Sequence, residues 1–196
     1  MMAKDVLGVM DALRIPQAHF LGFSLGGAVA QELAIAHPYR VGRLVLSNSF
    51  SRIDLSMRQT LGLWKSMAEK GSMDTFISDL VARIFTPEYL KGRSREVKAF
   101  VLAMRAKPPP GFAMVHQIEA IEEHDTYGRL GLIDSPTLVL SAADDFVVPL
   151  ACGKKLAAGI PHANLQVIPR CGHAVFIEES EIYNLSVLRF LNEEEL

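Results

Sequence analysis

An α/β fold, built on a mostly parallel sheet with flanking helices and carrying a helical insertion, is what the apolar pattern of this chain predicts. Three observations carry the prediction. Short runs rich in Val, Leu and Ile recur near 19–22, 43–47, 137–141 and 165–168. Helix-period segments follow them near 28–36, 150–158 and 180–191, and that alternation is the signature of parallel strands with helices packed on their faces. Between the second and third runs, about 50–132 is dominated by Met, Leu, Phe and charged residues at helical spacing. That segment is too long for a loop.

In chain order, the first element is a short helix whose apolar positions are Val6, Val9, Met10 and Leu13. The run His19-Phe20-Leu21-Gly22-Phe23-Ser24-Leu25-Gly26-Gly27-Ala28 then passes from strand to helix through Gly-x-Ser-x-Gly. A serine at the tip of such a turn takes strained dihedrals, and glycines two residues either side, Gly22 and Gly26, remove side chains that would clash there. The turn also sets the backbone N–H of Leu25 at a helix N-terminus, where it faces a developing oxyanion. In the long middle segment, Met57, Leu61, Trp64, Met67, Phe76, Ile84 and Phe85 read mainly as interhelical core. Lys107-Pro108-Pro109-Pro110-Gly111 breaks the helical pattern and reads as a connection.

Pro136-Thr137-Leu138-Val139-Leu140-Ser141 reads as a buried parallel strand, and Ala142-Ala143-Asp144-Asp145 follows it before Phe146-Val147-Val148-Pro149. Asn164-Leu165-Gln166-Val167-Ile168-Pro169 is the next strand, followed by Cys171-Gly172-His173-Ala174. All strand C-termini of an open parallel sheet share one edge, so Ser24, Asp145 and His173 converge there. They occur in the order Ser, Asp, His. The other histidines, His19, His37, His116, His124 and His162, read as helix-end, turn or surface residues.

On these motifs the chain resembles the α/β-hydrolase superfamily, close to its small esterase, enol-lactonase and cofactor-free haloperoxidase branch. The resemblance aligns Asp145 rather than Asp144 with the family's acid, with Ala142 where relatives carry glycine; Asp144 reads as a solvated turn carboxylate. It implies a catalytic triad of Ser24, Asp145 and His173, an oxyanion-hole donor at Leu25, and no cofactor or metal. A second acid location in some relatives corresponds here to Ser47-Asn48-Ser49, which has no carboxylate. The resemblance makes 1–49 and 133–196 the hydrolase core and 50–132 a helical cap over the active site, so that the set Met57, Leu61, Trp64, Met67, Phe76, Ile84 and Phe85 is expected to include pocket wall as well as cap core. It also implies that the first half of the sheet, with the loop that completes the oxyanion hole, is missing before the elbow. The nucleophile strand is then expected at an open, apolar sheet edge, an association site. The chain is accordingly expected to be a fragment, to pair with a partner chain, or to form a homodimer through that edge.

Composition narrows the function classes. The 196 residues are 49% hydrophobic and 21% charged, enough for a sizeable core. A net charge of −2, with no basic run among aromatics, points to neither nucleic acid nor a membrane surface as partner. Two cysteines form no disulfide framework, no Cys/His cluster has metal-ligand spacing, and no signal pattern opens the chain, so a cytoplasmic location is expected. The expected activity is a serine hydrolase acting on a small carboxylic ester or lactone. Its competitor is a non-catalytic or split-gene product working through the open edge.

Overall fold

The computed structural model describes residues 2–193. Four strands, β1 (Ala18–Phe23), β2 (Val41–Ser47), β3 (Thr137–Ala142) and β4 (Ala163–Ile168), lie side by side in the order β1-β2-β3-β4. Every neighbouring pair is parallel. Leu44, Val45, Leu46, Leu138, Val139 and Leu140 have no exposed surface, which is why β2 and β3 read as unbroken apolar runs: both faces are covered. Each such side chain contributes about 1.5–3 kcal/mol by leaving water.

One face is covered by α1 (Met2–Ala12), α2 (Leu25–Ala36) and α8 (Leu150–Gly159), through Leu33 and Leu156 packed on Leu44, Leu46 and Val139. Leu130 and Ile133 join this layer. On the other face, α9 (Val175–Glu178) and α10 (Ser180–Leu191) set Val175, Tyr183, Val187 and Phe190 against Val45, Leu138 and Leu140. Among the described residues β1 pairs only with β2, so its second side is a free edge, and Leu21 there is 44% exposed. The first helix buries less than its pattern suggests: Met10 is buried, but Val9 and Leu13 are exposed.

Between β2 and β3 the chain forms α3 (Leu55–Glu69), α4 (Met73–Ile84), α5 (Pro87–Gly92), α6 (Ser94–Ala106) and α7 (Gly111–Glu123). Asp54 and Thr86 cap α3 and α5 by accepting from the N–H groups of Met57 and Tyr89. The proline run ends α6 at Ala106, and α7 begins at Gly111. Both ends of this helical insertion meet at one neck, where Arg52 bridges Asp125 and the Thr126 N–H donates to the Ser51 carbonyl at 2.8 Å. The fully buried Gln31 of α2 fixes the neck to the sheet layer, donating to the Phe50 carbonyl at 3.1 Å and accepting from the Thr126 hydroxyl at 2.6 Å. A buried amide that is satisfied on both sides holds a single arrangement.

Candidate active site

Ser24 sits between β1 and α2 with φ 52° and ψ −118°, a backbone conformation that L-residues avoid unless the surroundings hold it. Here the holding contacts are to backbone: the Ser24 N–H donates to the Ser47 carbonyl at 2.9 Å, and the Ser49 hydroxyl donates to the Ser24 carbonyl at 2.9 Å. A Cβ at Gly22 would run into the Gly26 carbonyl and come within 2.5 Å of the Gly27 Cα, so the strand and helix can approach this closely only at glycine. The second constrained position is Gly27 and not Gly26, as the motif had suggested. A Cβ on Gly27 would strike the Ser49 side chain, whereas one on Gly26 meets nothing within 4 Å among the described residues. The reason is helical phase: Gly26 faces outward on the first turn of α2, and Gly27 faces back onto the sheet.

Leu25 is the first residue of α2, so its N–H has no carbonyl one turn earlier to bond and points out of the helix end. The thiols of Cys152 and Cys171 are buried, which pushes them up to about 11 and about 12. Both are therefore protonated near neutrality and poorly nucleophilic.

Asp145 and His173 are brought together by the loops after β3 and β4. His173 Nδ1 lies 2.7 Å from Asp145 Oδ2, with no exposed surface on the Asp145 side chain and 8% exposure on that of His173. The other carboxylate oxygen accepts from the N–H groups of Val147 at 2.7 Å and Val148 at 2.8 Å. Asp144, by contrast, is exposed. With Oδ1 committed to the backbone, Oδ2 is fixed in direction, and it fixes the imidazole in turn. The Phe23 ring packs 4.8 Å from that of His173. Ser24 and His173 line the same cavity, of about 300 Å³, beneath the helical insertion.

The three site residues predicted from sequence thus lie at one edge of the sheet, and the structure adds two more. Asn48 follows β2 with φ 43° and is 2% exposed. Its amide donates to the His173 carbonyl at 3.0 Å, and its carbonyl oxygen accepts from the Ala142 N–H at 3.0 Å. It therefore ties three strand ends together in a left-handed conformation that asparagine tolerates. Glu178 accepts from the Gly172 N–H at 3.1 Å, the Thr86 N–H at 3.1 Å and the Thr86 hydroxyl at 2.6 Å. With the Ala174 N–H donating to the Ile84 carbonyl at 2.9 Å, the residues on either side of His173 are bolted to the end of α4. The sequence signal for Asn48 was an Asn directly after a strand. Glu178 had no signal of its own.

A strand-to-helix serine turn with an acid and a histidine after the next strands of a parallel sheet matches the family described as the alpha/beta hydrolase fold, over residues 1–180. The chain belongs to the α/β-hydrolase family. Among relatives of known sequence, it is 31% identical over 190 residues to the putative carbamate hydrolase RutD of Variovorax paradoxus, covering 97% of this chain and 71% of the relative. It is 34% identical over 209 residues to the 2-hydroxy-6-oxo-6-phenylhexa-2,4-dienoate hydrolase of Burkholderia cepacia, covering 96% of this chain and 68% of that one. Among solved structures, the enol-lactonase of Burkholderia xenovorans LB400 superposes with a TM-score of 0.88 at 28% identity, over 97% of this chain and 71% of that one. These α/β-hydrolase relatives are hydrolases of differing substrates.

Proposed function

We propose that this α/β hydrolase cleaves a carboxylic ester or lactone through a Ser24–His173–Asp145 triad and an acyl-enzyme intermediate. The observation that carries the reading is the buried 2.7 Å contact between His173 Nδ1 and Asp145 Oδ2, on the wall of the cavity that Ser24 also lines. Asp145 keeps the proton on Nδ1, which leaves Nε2 as the base. Ser24 Oγ attacks the carbonyl carbon as Nε2 takes its proton, and the Leu25 N–H donates to the oxygen that becomes negative. The imidazolium then protonates the leaving alkoxide, the C–O bond breaks, and the acyl group stays on Ser24. Water, activated by the same Nε2, releases the acid and restores the serine. The helical insertion acts as a cap, roofing the acyl group.

The test is turnover of p-nitrophenyl butyrate and of a simple lactone by the purified chain. Saturable hydrolysis well above buffer is expected, and a rate indistinguishable from buffer counts against the reading. Glu178 acts in this scheme as a positioning residue, since it joins the histidine loop to the cap. Glu178→Ala is expected to lower kcat by about 10²-fold through misplacement of His173, with Glu178→Gln recovering part of the loss because one acceptor oxygen remains. Steady-state kinetics beside a thermal melt check this; an unchanged kcat in the alanine variant contradicts it.

The free edge of β1 favours a second reading, in which the chain is a non-catalytic or split-gene product that associates through that edge with a partner chain or with another copy of itself. Light scattering that finds a dimer without ester turnover supports it, and a monomer that hydrolyses esters removes it.

A further inference from the structure

We infer that the acyl group this site accepts is uncharged and apolar, of about six to eight carbons or aryl-sized, lodged between α3, α4, α6 and α7. The inference rests on the serine-hydrolase reading and concerns the wall of the cavity that the helical insertion supplies. That wall includes Leu61 and Trp64 of α3, Leu80 of α4, Phe100 of α6 and Ile121 of α7. Among the described residues, no Lys, Arg, Asp or Glu lines the cavity, and Thr60 is the one hydroxyl on its cap side.

The cap does hold charge next to this wall, but neither Asp79 nor Arg83 lines the cavity, and the two are paired with each other. The Trp64 indole N–H donates to Asp79 Oδ2 at 2.8 Å, and Arg83 Nε reaches the same oxygen at 2.7 Å. Arg83 Nη1 also approaches the Thr60 hydroxyl, at 3.5 Å. The indole therefore presents carbon to the cavity while its one polar group is satisfied by Asp79, and Arg83 is already paired with the same carboxylate. A carboxylate at the far end of a substrate would lose its water and find no cation on the cavity wall, with the Thr60 hydroxyl as the one cap-side donor.

Size follows from volume. A dry cavity of about 150 Å³ accommodates benzene, and this one is about 300 Å³ including the space beside Ser24 and His173, so an acyl chain of about six to eight carbons or a phenylacetyl group takes up about half to two thirds of it and leaves the rest to the reacting carbonyl and the leaving group. Each methylene moved from water into it is worth about fourfold in kcat/KM, until the wall is reached.

The test compares p-nitrophenyl acetate, p-nitrophenyl hexanoate and the mono-p-nitrophenyl ester of adipic acid, the last matching hexanoate in reach but ending in a carboxylate. Hexanoate is expected to exceed acetate by about 10²-fold in kcat/KM and the adipate monoester by at least about 10²-fold. In Ile121→Trp, which shortens the cavity, the hexanoate-to-acetate ratio should fall at least about tenfold. Equal rates for hexanoate and adipate monoester, or an unchanged ratio in Ile121→Trp, overturn the inference and leave the hydrolase reading standing. Labelling of Ser24 by a fluorophosphonate without hydrolysis of any of the three esters overturns the inference and counts against ester cleavage, while leaving Ser24 an activated nucleophile. Absence of both labelling and hydrolysis overturns the serine-hydrolase reading, and the inference with it.

Discussion

Ser24→Ala is expected to lower kcat for a good ester by about 10⁶-fold, leaving only the background that binding and the oxyanion donor provide. The fold should hardly notice. The contacts that keep the elbow closed run through the Ser24 N–H and carbonyl, and alanine retains both. No hydrogen bond from the Ser24 side chain caps α2, so no cap is lost either. Alanine at φ 52° is strained to about the same degree as serine, and the melting midpoint should move by no more than about 1 kcal/mol of stability would move it, roughly 2–4 °C for a chain of this size. Kinetics and a thermal melt on the same preparation check both halves. A variant that keeps more than about a thousandth of the activity would show that another group is the nucleophile.

Asp145→Asn is expected to cost about 10⁴-fold in kcat, again with little loss of fold, and the hydrogen-bond pattern says why. Asparagine keeps an acceptor at the Oδ1 position for the Val147 and Val148 N–H groups. The amide then faces His173 Nδ1 where Oδ2 stood. An amide N–H donates, so Nδ1 must accept and the ring proton moves to Nε2. A ring protonated at Nε2 cannot take the proton of Ser24. Asp145→Ala removes the support of the loop as well, and should lose stability in addition to rate. The comparison separates the two jobs of this carboxylate: equal melting midpoints for the asparagine variant and the parent, with a collapse in kcat, is the expected pattern.

The parallel sheet and the serine turn were legible in the sequence because each is a local matter. An apolar run, a tight turn and a helix start are written within about ten residues, and the edge at which Ser24, Asp145 and His173 meet follows from parallel topology alone. What escaped was whatever depends on distant partners. Asn48 bonds a carbonyl 125 positions later, and Thr86 meets Glu178 across 92. No spacing rule links such pairs. The stretch around Asn48 offers no carboxylate, and an asparagine after a strand suits the left-handed turn it makes. The choice between Gly26 and Gly27 turned on helical phase at the first turn of α2, which the five-residue motif does not encode. Met57, Leu61, Trp64 and Ile84 belong to the packed interior of the insertion and also face the cavity. Helical spacing carried the first role, the resemblance to the family implied pocket wall within the same set, and only the structure shows which of these residues do both.

The central claim is that Ser24 is an activated nucleophile, and the most direct measurement is intact-mass analysis of the purified chain after exposure to a fluorophosphonate, with Ser24→Ala as control. Covalent capture needs the elbow, the base and the acid assembled together, and it does not require the natural substrate. One phosphonyl group per chain, absent in the alanine variant, is the predicted result. An unmodified wild-type mass, or equal labelling of the alanine variant, would contradict it.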